Sequence, residues 1–146
     1  MVRILVIHGP NLDILGKRET DIYGKIDLRT INTAISKRAK SLKVAVKFCQ
    51  SNYEGDIVEL IGKANKNFDA IIINPAAYTH TSVAIRDAIS AADIPAIEVH
   101  LTNIYGREEF RQRSLISPVA KGTICGFGLN SYLLGLDAAV SVVKKK

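Results

Sequence analysis

Long apolar runs are missing from this chain: none approaches the roughly 18 residues that a membrane-spanning helix requires. Met1, Val2 and Arg3 lead straight into a short strand-like run, too short for the apolar region of a secretion signal. Cysteine is scarce. Cys49 and Cys125 are the only two, and both sit inside apolar strand-like runs, which argues against a disulfide scaffold and for reduced thiols in a cytoplasmic protein. No repeat, low-complexity segment or linker-like stretch divides the 146 residues, so residues 1–146 read as one domain, long enough to bury a core. Several chemical signatures are also absent. There is no Gly-x-x-x-x-Gly-Lys phosphate loop, no Gly-x-Ser-x-Gly elbow, no Cys-x-x-Cys pair and no strand 1 carboxylates of a receiver-type phosphorylation domain.

Acidic residues are in the minority. Lys and Arg number 20 against 14 Asp and Glu, for a net charge of +6, and three lysines close the chain. Such a balance makes nucleic acid conceivable as a partner, and a basic binding module without catalysis is the competing reading. The positive residues are scattered, however, and no aromatic–basic alternation marks a stacking platform. The reading is therefore no nucleic acid and no membrane partner, but an anionic small molecule or a merely solvated surface.

What the chain does contain is alternation. Apolar strand-like runs at residues 2–7, 43–49, 68–73, 95–99 and 122–125 are separated by amphipathic stretches. Asp27 is placed to cap a helix with Leu28, Ile31, Ile35, Ala39 and Leu42 on one face, and Asp56 to cap one with Ile57, Leu60, Ile61 and Ala64. A third helix is expected over residues 82–92 and a last one over residues 130–143. This pattern predicts an α/β, flavodoxin-like three-layer sandwich whose five-stranded parallel sheet runs in the order 2-1-3-4-5. The loops after strands 1, 3 and 4 then converge at one carboxyl edge, and they hold all three histidines.

The loop after strand 1 carries Asn11, Arg18 and Tyr23, and its length is unusual unless it is functional or disordered. Tyrosine serves as a base only when its phenolate is favoured, which a neighbouring arginine does electrostatically. The spacing of Arg18 and Tyr23 permits that pairing; a solvated arginine and a packed tyrosine are the plain alternative. His8 ends strand 1 and reads as a buried histidine bonded to nearby backbone. Asn74 precedes a proline turn, and His80 lies beside a helix start that suits an anion or hydroxyl. Glu98 and His100 are two apart on a strand and so share a face, where a carboxylate can orient an imidazole for acid–base work. A structural ion pair fits the same spacing, and no third ligand is evident for a metal site. Arg107, Arg111 and Arg113 fall in a short helical stretch; one turned inward could grip a carboxylate bidentately.

These residues together resemble the type II 3-dehydroquinate dehydratases (type II dehydroquinases). The matching blocks are Gly9-Pro10-Asn11-Leu12, Leu15-Gly16-Lys17-Arg18-Glu19 and Tyr23-Gly24, then the run of nine residues from Asn74 to Ser82 and Arg86-Asp87-Ala88. Glu98-Val99-His100 with Asn103, Arg107-Glu108-Glu109-Phe110-Arg111 and Ser117-Pro118 complete them. The resemblance implies a hydro-lyase of the shikimate pathway, in aromatic amino acid biosynthesis. It would convert 3-dehydroquinate to 3-dehydroshikimate and water by anti elimination through an enolate, without a cofactor or metal. By family pattern Tyr23 is the proton acceptor, Arg18 favours its phenolate and Asn11 stabilises the enolate through a water. His100, oriented by Glu98, is the proton donor to the departing hydroxyl. Asn74, His80, Leu101, Thr102 and Arg111 match substrate-binding positions, and Asp87 matches one contributed across a subunit boundary in a homododecamer, a tetramer of trimers. Three departures stand out: His8 where asparagine is usual, Asp13 where asparagine is common, and Thr20 where proline often follows Arg-Glu.

Overall fold

Strands made of uninterrupted apolar residues need cover on both faces. The computed structural model of the chain, which describes residues 1–17 and 19–144, provides it. Strands β1 (Arg3–His8), β2 (Ala45–Gln50), β3 (Ala70–Asn74), β4 (Ala96–His100) and β5 (Gly122–Cys125) form one sheet. All its pairings are parallel, in the order β2-β1-β3-β4-β5. Helices α1 (Thr20–Tyr23), α2 (Leu28–Leu42), α3 (Glu54–Ala64) and α4 (Val83–Ala91) connect successive strands, and α5 (Leu129–Lys144) follows the last one. The expected fold class and strand order are those observed.

Alternation of side chains along each strand divides the core in two. Ile4, Val6, Ile72, Ile97 and Val99 pack with Ile31 and Ile35 of α2 and Leu136 of α5. Leu5, Ile7, Ile71 and Ile73 pack on the other side with Ile57 and Ile61 of α3 and Ile85 and Ile89 of α4. The absence of a side chain at Gly135 lets α5 lie directly on the sheet, since a Cβ there would stand 2.7 Å from Val99 Cγ1. Neither cysteine forms a disulfide. No helix among the described residues is long and apolar enough to cross a membrane.

The differences from the sequence reading have local causes. Strands 1 to 4 each end one residue later than expected, because ladder pairing continues through His8↔Gln50 in β1–β2, His8↔Asn74 in β1–β3 and His100↔Cys125 in β4–β5. Asp27 caps α2 as anticipated, accepting from Thr30 N at 2.8 Å, and Ser82, expected as the first residue of its helix, instead caps α4 by accepting from Ile85 N at 2.9 Å. Asp56 does not cap α3. That helix begins three residues earlier than such a cap implies, at Glu54, and Asp56 instead accepts from Ser51 Oγ at 2.8 Å inside the first turn, where its charge still suits the helix dipole. The short helix expected around residues 107–113 is a single 3₁₀ turn, Glu109–Arg111.

His8 is buried as expected, but its partners are side chains and not backbone. Nδ1 lies 2.9 Å from the Tyr132 hydroxyl of α5, and Nε2 lies 2.8 Å from Asn32 Oδ1 of α2. Burial lowers its pKa from 6.5 to about 4, against the opposing hydrogen bond to Asn32. The imidazole is therefore neutral at pH 7. Between those two values the unfolded chain binds the proton and the folded one does not, so stability falls as pH falls from 6.5 towards 4. The displacement corresponds to about 3 kcal/mol at the acid end. Replacing His8 with asparagine removes the titrating group. Urea unfolding at pH 7 and pH 4.5 is expected to show roughly 2–3 kcal/mol less acid destabilisation in His8→Asn than in the parent, and equal losses would clear His8 of this role.

Candidate active site

Three strands deliver polar residues to one edge of the sheet: His8 at the end of β1, Asn74 at the end of β3 and His100 at the end of β4. The loops that follow meet around a cavity of about 130 Å³. Gly9 makes the first two loops touch. Its N–H donates to Asn74 O at 2.8 Å, and a Cβ there would fall 2.7 Å from Pro75 O. Asn11 follows with φ 68°, a left-handed conformation that asparagine tolerates better than most residues, and its N–H donates to Asn52 Oδ1 at 2.9 Å. Leu12 and Leu15 are buried beneath this loop and anchor it to the core. The loop then turns at Glu19, with φ 40°, into the four residues of α1, whose last member is Tyr23.

On the β4 side, His100 Nε2 donates to Glu98 Oε2 at 2.5 Å, which settles the i, i+2 reading as a contact. Glu98 has no solvent exposure. Its carboxylate also accepts from Ser117 Oγ at 2.6 Å, Ser114 Oγ at 3.0 Å, Thr79 Oγ1 at 3.2 Å and Thr123 Oγ1 at 3.4 Å. Burial pushes the carboxyl pKa upward. The hydrogen bond and charge of His100, with the Ser117 and Ser114 hydroxyls, outweigh that and hold it below the usual glutamate value. With Nε2 committed to Glu98, Nδ1 is the ring nitrogen left to exchange a proton with a ligand in the cavity that His100 lines.

On the loop side, Arg107 Nη1 donates to the Tyr23 hydroxyl at 2.8 Å, and its guanidinium carbon lies 5.1 Å from the Tyr23 ring centroid. The partner named from sequence, Arg18, lies outside the described residues. Arg107 was singled out only as one of several arginines in its stretch; both it and Arg111 in fact line the cavity. Glu108 orients Arg111 at 3.1 Å from outside.

Asn11, Tyr23, Asn74, His80, His100, Leu101, Thr102 and Arg111 all line this cavity, as the sequence reading grouped them. Glu98 stands behind His100 and not on the wall. Asp87 is not brought to the cavity; it lies exposed on α4. His80 is fixed by a hydrogen bond from Nδ1 to Arg113 O at 2.8 Å, which leaves Nε2 for a ligand. The sequence reading missed Thr79, Ser114 and Thr123 as partners of Glu98, and hydroxyl residues scattered over 45 positions carry no spacing signal that would reveal them. Two guanidiniums and two imidazoles line the cavity, and no carboxylate does among the described residues. No cluster of three His, Cys, Asp or Glu that could hold a metal occurs among them either. The arrangement suits an anionic, hydroxyl-bearing molecule from which a proton is taken at one place and given at another.

The family model for dehydroquinase class II matches residues 2–140 of the chain. The 3-dehydroquinate dehydratase of Geotalea daltonii is 56% identical over 144 residues, covering 99% of this chain and 100% of that one. That of Gloeothece citriformis is 57% identical over 142 residues, with 97% and 93% covered. The crystal structure of the type II dehydroquinase from Butyrivibrio crossotus superposes with a TM-score of 0.93 at 45% identity, over 95% of this chain and 97% of that one. A match of this extent in sequence and fold, around a cavity holding the expected phenol and imidazole, makes the chain a member of the class II dehydroquinase family.

Proposed function

We propose that the chain, acting as one domain over residues 1–146, dehydrates 3-dehydroquinate to 3-dehydroshikimate and water without a cofactor. The observation that carries this reading is a single cavity containing an arginine-bonded Tyr23 and a carboxylate-backed His100, in a chain of this family. Tyr23 as phenolate takes the proton from C2, beside the ketone. The electron pair passes into the carbonyl to give an enolate, and its collapse expels the C1 hydroxyl, which His100 protonates so that it leaves as water. Arg107 supports this assignment because a guanidinium donating to the phenol oxygen allows that oxygen to carry negative charge. Arg18 takes the same task by family resemblance. Asn11 stabilises the enolate through a water. Glu98 holds His100 through Nε2–H, so the proton given to the departing hydroxyl is the one carried on Nδ1.

Asn74, His80, Leu101, Thr102 and Arg111 bind the substrate in this reading, with backbone N–H groups of Leu101 and Thr102 and the Arg111 guanidinium taking its carboxylate. Asp87 serves a neighbouring subunit's cavity, in keeping with its exposed place on α4 away from its own. That assignment goes with a cytoplasmic homododecamer, and sedimentation is expected to give a particle of twelve chains; a monomer active at full rate would remove both the assembly and the role of Asp87.

Turnover is read directly from the ultraviolet absorbance of the conjugated enone formed from 3-dehydroquinate, and its absence from folded protein would refute the function. Borohydride added with substrate is expected to leave activity intact, because no lysine Schiff base takes part. Tyr23→Phe and His100→Ala are each expected to lower kcat by at least about 10²-fold, the range for loss of a general base or acid. Arg107→Gln is expected to lower kcat by about 10- to 100-fold, the worth of one charge-assisted hydrogen bond. A normal rate in that variant would return the whole of the phenolate's stabilisation to Arg18.

A further inference from the structure

A second polar network lies beneath the cavity and meets it only through Asn74. Tyr132, in the first turn of α5, has no solvent exposure, and neither does His8. The Tyr132 hydroxyl lies 2.9 Å from His8 Nδ1 and 3.1 Å from Asn74 Nδ2. His8 Nε2 lies 2.8 Å from Asn32 Oδ1, and Asn74 Oδ1 accepts from Ala76 N at 3.0 Å. His8 and Asn74 are register partners at the ends of β1 and β3.

The directions of these hydrogen bonds follow from one another. Asn32 Oδ1 only accepts, so His8 carries its proton on Nε2. A buried, neutral imidazole then has a lone pair on Nδ1, which must receive the Tyr132 O–H. The Tyr132 oxygen is thereby left as an acceptor, and Asn74 Nδ2 donates to it. With Asn74 Oδ1 occupied by the Ala76 N–H, an amide flip would break both bonds of Asn74 at once. What Asn74 can offer the cavity is its second Nδ2–H.

We infer that Tyr132 and His8 are positioning residues that lock the Asn74 carboxamide with its amino group towards the cavity, so that it donates to an oxygen lone pair of the ligand. The inference rests on the reading that this cavity binds 3-dehydroquinate, where it assigns Asn74 to a substrate oxygen acting as acceptor. It also gives a use to the departure at position 8. The Oδ1 of an asparagine there can stand where His8 Nδ1 now stands and accept from Tyr132, whereas an apolar residue cannot.

Tyr132→Phe removes the hydroxyl and keeps the ring. Its expected effect is a KM raised roughly five- to tenfold with kcat within about twofold, the pattern of a binding hydrogen bond made equally in ground and transition states. His8→Leu is expected to shift KM the same way, and His8→Asn to restore it. Adding Tyr132→Phe to Asn74→Ala is expected to raise KM no further than Asn74→Ala alone, because the tyrosine acts through that amide. Unchanged KM in both Tyr132→Phe and His8→Leu, or additive losses in the double variant, would overturn the inference while the parent still turns over. A ligand-free readout separates it from the function itself. In ¹⁵N-labelled protein the Asn74 side-chain amide resonances are expected to move in Tyr132→Phe and stay in place in His8→Asn, and resonances unmoved in Tyr132→Phe would overturn it whether or not the parent dehydrates 3-dehydroquinate.

Discussion

A carboxylate sealed from solvent keeps its charge only if donors surround it, and Glu98 meets that condition with five side chains. Much of the carboxyl edge follows from this need. Ser114 and Ser117 come from the segment between β4 and β5, and Ser114 Oγ in turn accepts the N–H groups of Ile116 and Ser117. The segment is thus wrapped on the carboxylate. From there it reaches back to the loop after β3, through Leu115 N to Thr79 O at 2.8 Å and Arg113 O to His80 Nδ1 at 2.8 Å. A charge placed to orient one imidazole therefore also sets the position of a second.

Side-chain alternation explains why there are two polar networks and why they do not merge. His8 and Asn74 follow Ile4, Val6 and Ile72 towards α2 and α5, so their partners are Asn32 and Tyr132. Glu98 and His100 follow Ala96 to the opposite face, where Thr79, Ser114 and Ser117 lie. Each network terminates at the same edge, in Asn74 and in His100, and both of those residues line the cavity. One network holds a neutral amide donor and the other a carboxylate-backed imidazole. Keeping the carboxylate on the far face of the sheet from Asn74 leaves the donor's orientation to neutral groups, since burial holds both His8 and the Tyr132 phenol in their uncharged forms.

The sheet order and the convergence of three loops were legible from alternating runs of two periods, because those periods report which faces are buried. The Glu98–His100 contact was legible for the same reason: a spacing of two on a strand is a statement about geometry. Other features depend on distance in space and leave no local trace. His8 was read as buried, but Tyr132 lies 124 residues away and Arg107 lies 84 residues from Tyr23. Asp56 misled because a capping residue type inside the first turn and one at the cap look alike until Ser51 is seen to hold the carboxylate. Arg107 could not be told from a solvated arginine because single 3₁₀ turns of three residues are too short to show a period from which an inward face can be read.

The two chemical ends of the cavity differ in how firmly they are built. His100 is the last residue of a fully buried strand, backed by the Glu98 cluster. Tyr23 ends a helix of four residues, none of them fully buried, entered through a left-handed backbone turn. Elements with so little buried surface belong to the low-stability end of a fold, where ligand-responsive loops are found. Tyr23 does pack against the core formed by α2 and α5, and Arg107 meets both its hydroxyl and its ring. Contact with the ring and the oxygen at once restricts where the phenol can lie as well as what charge it can bear. Arg107 follows the 3₁₀ turn Ile104–Gly106, whose Ile104 is buried and whose Asn103 side chain accepts from Tyr105 N. The rigid β4 side thus reaches across to steady the looser loop after β1, and the base is placed with reference to the acid.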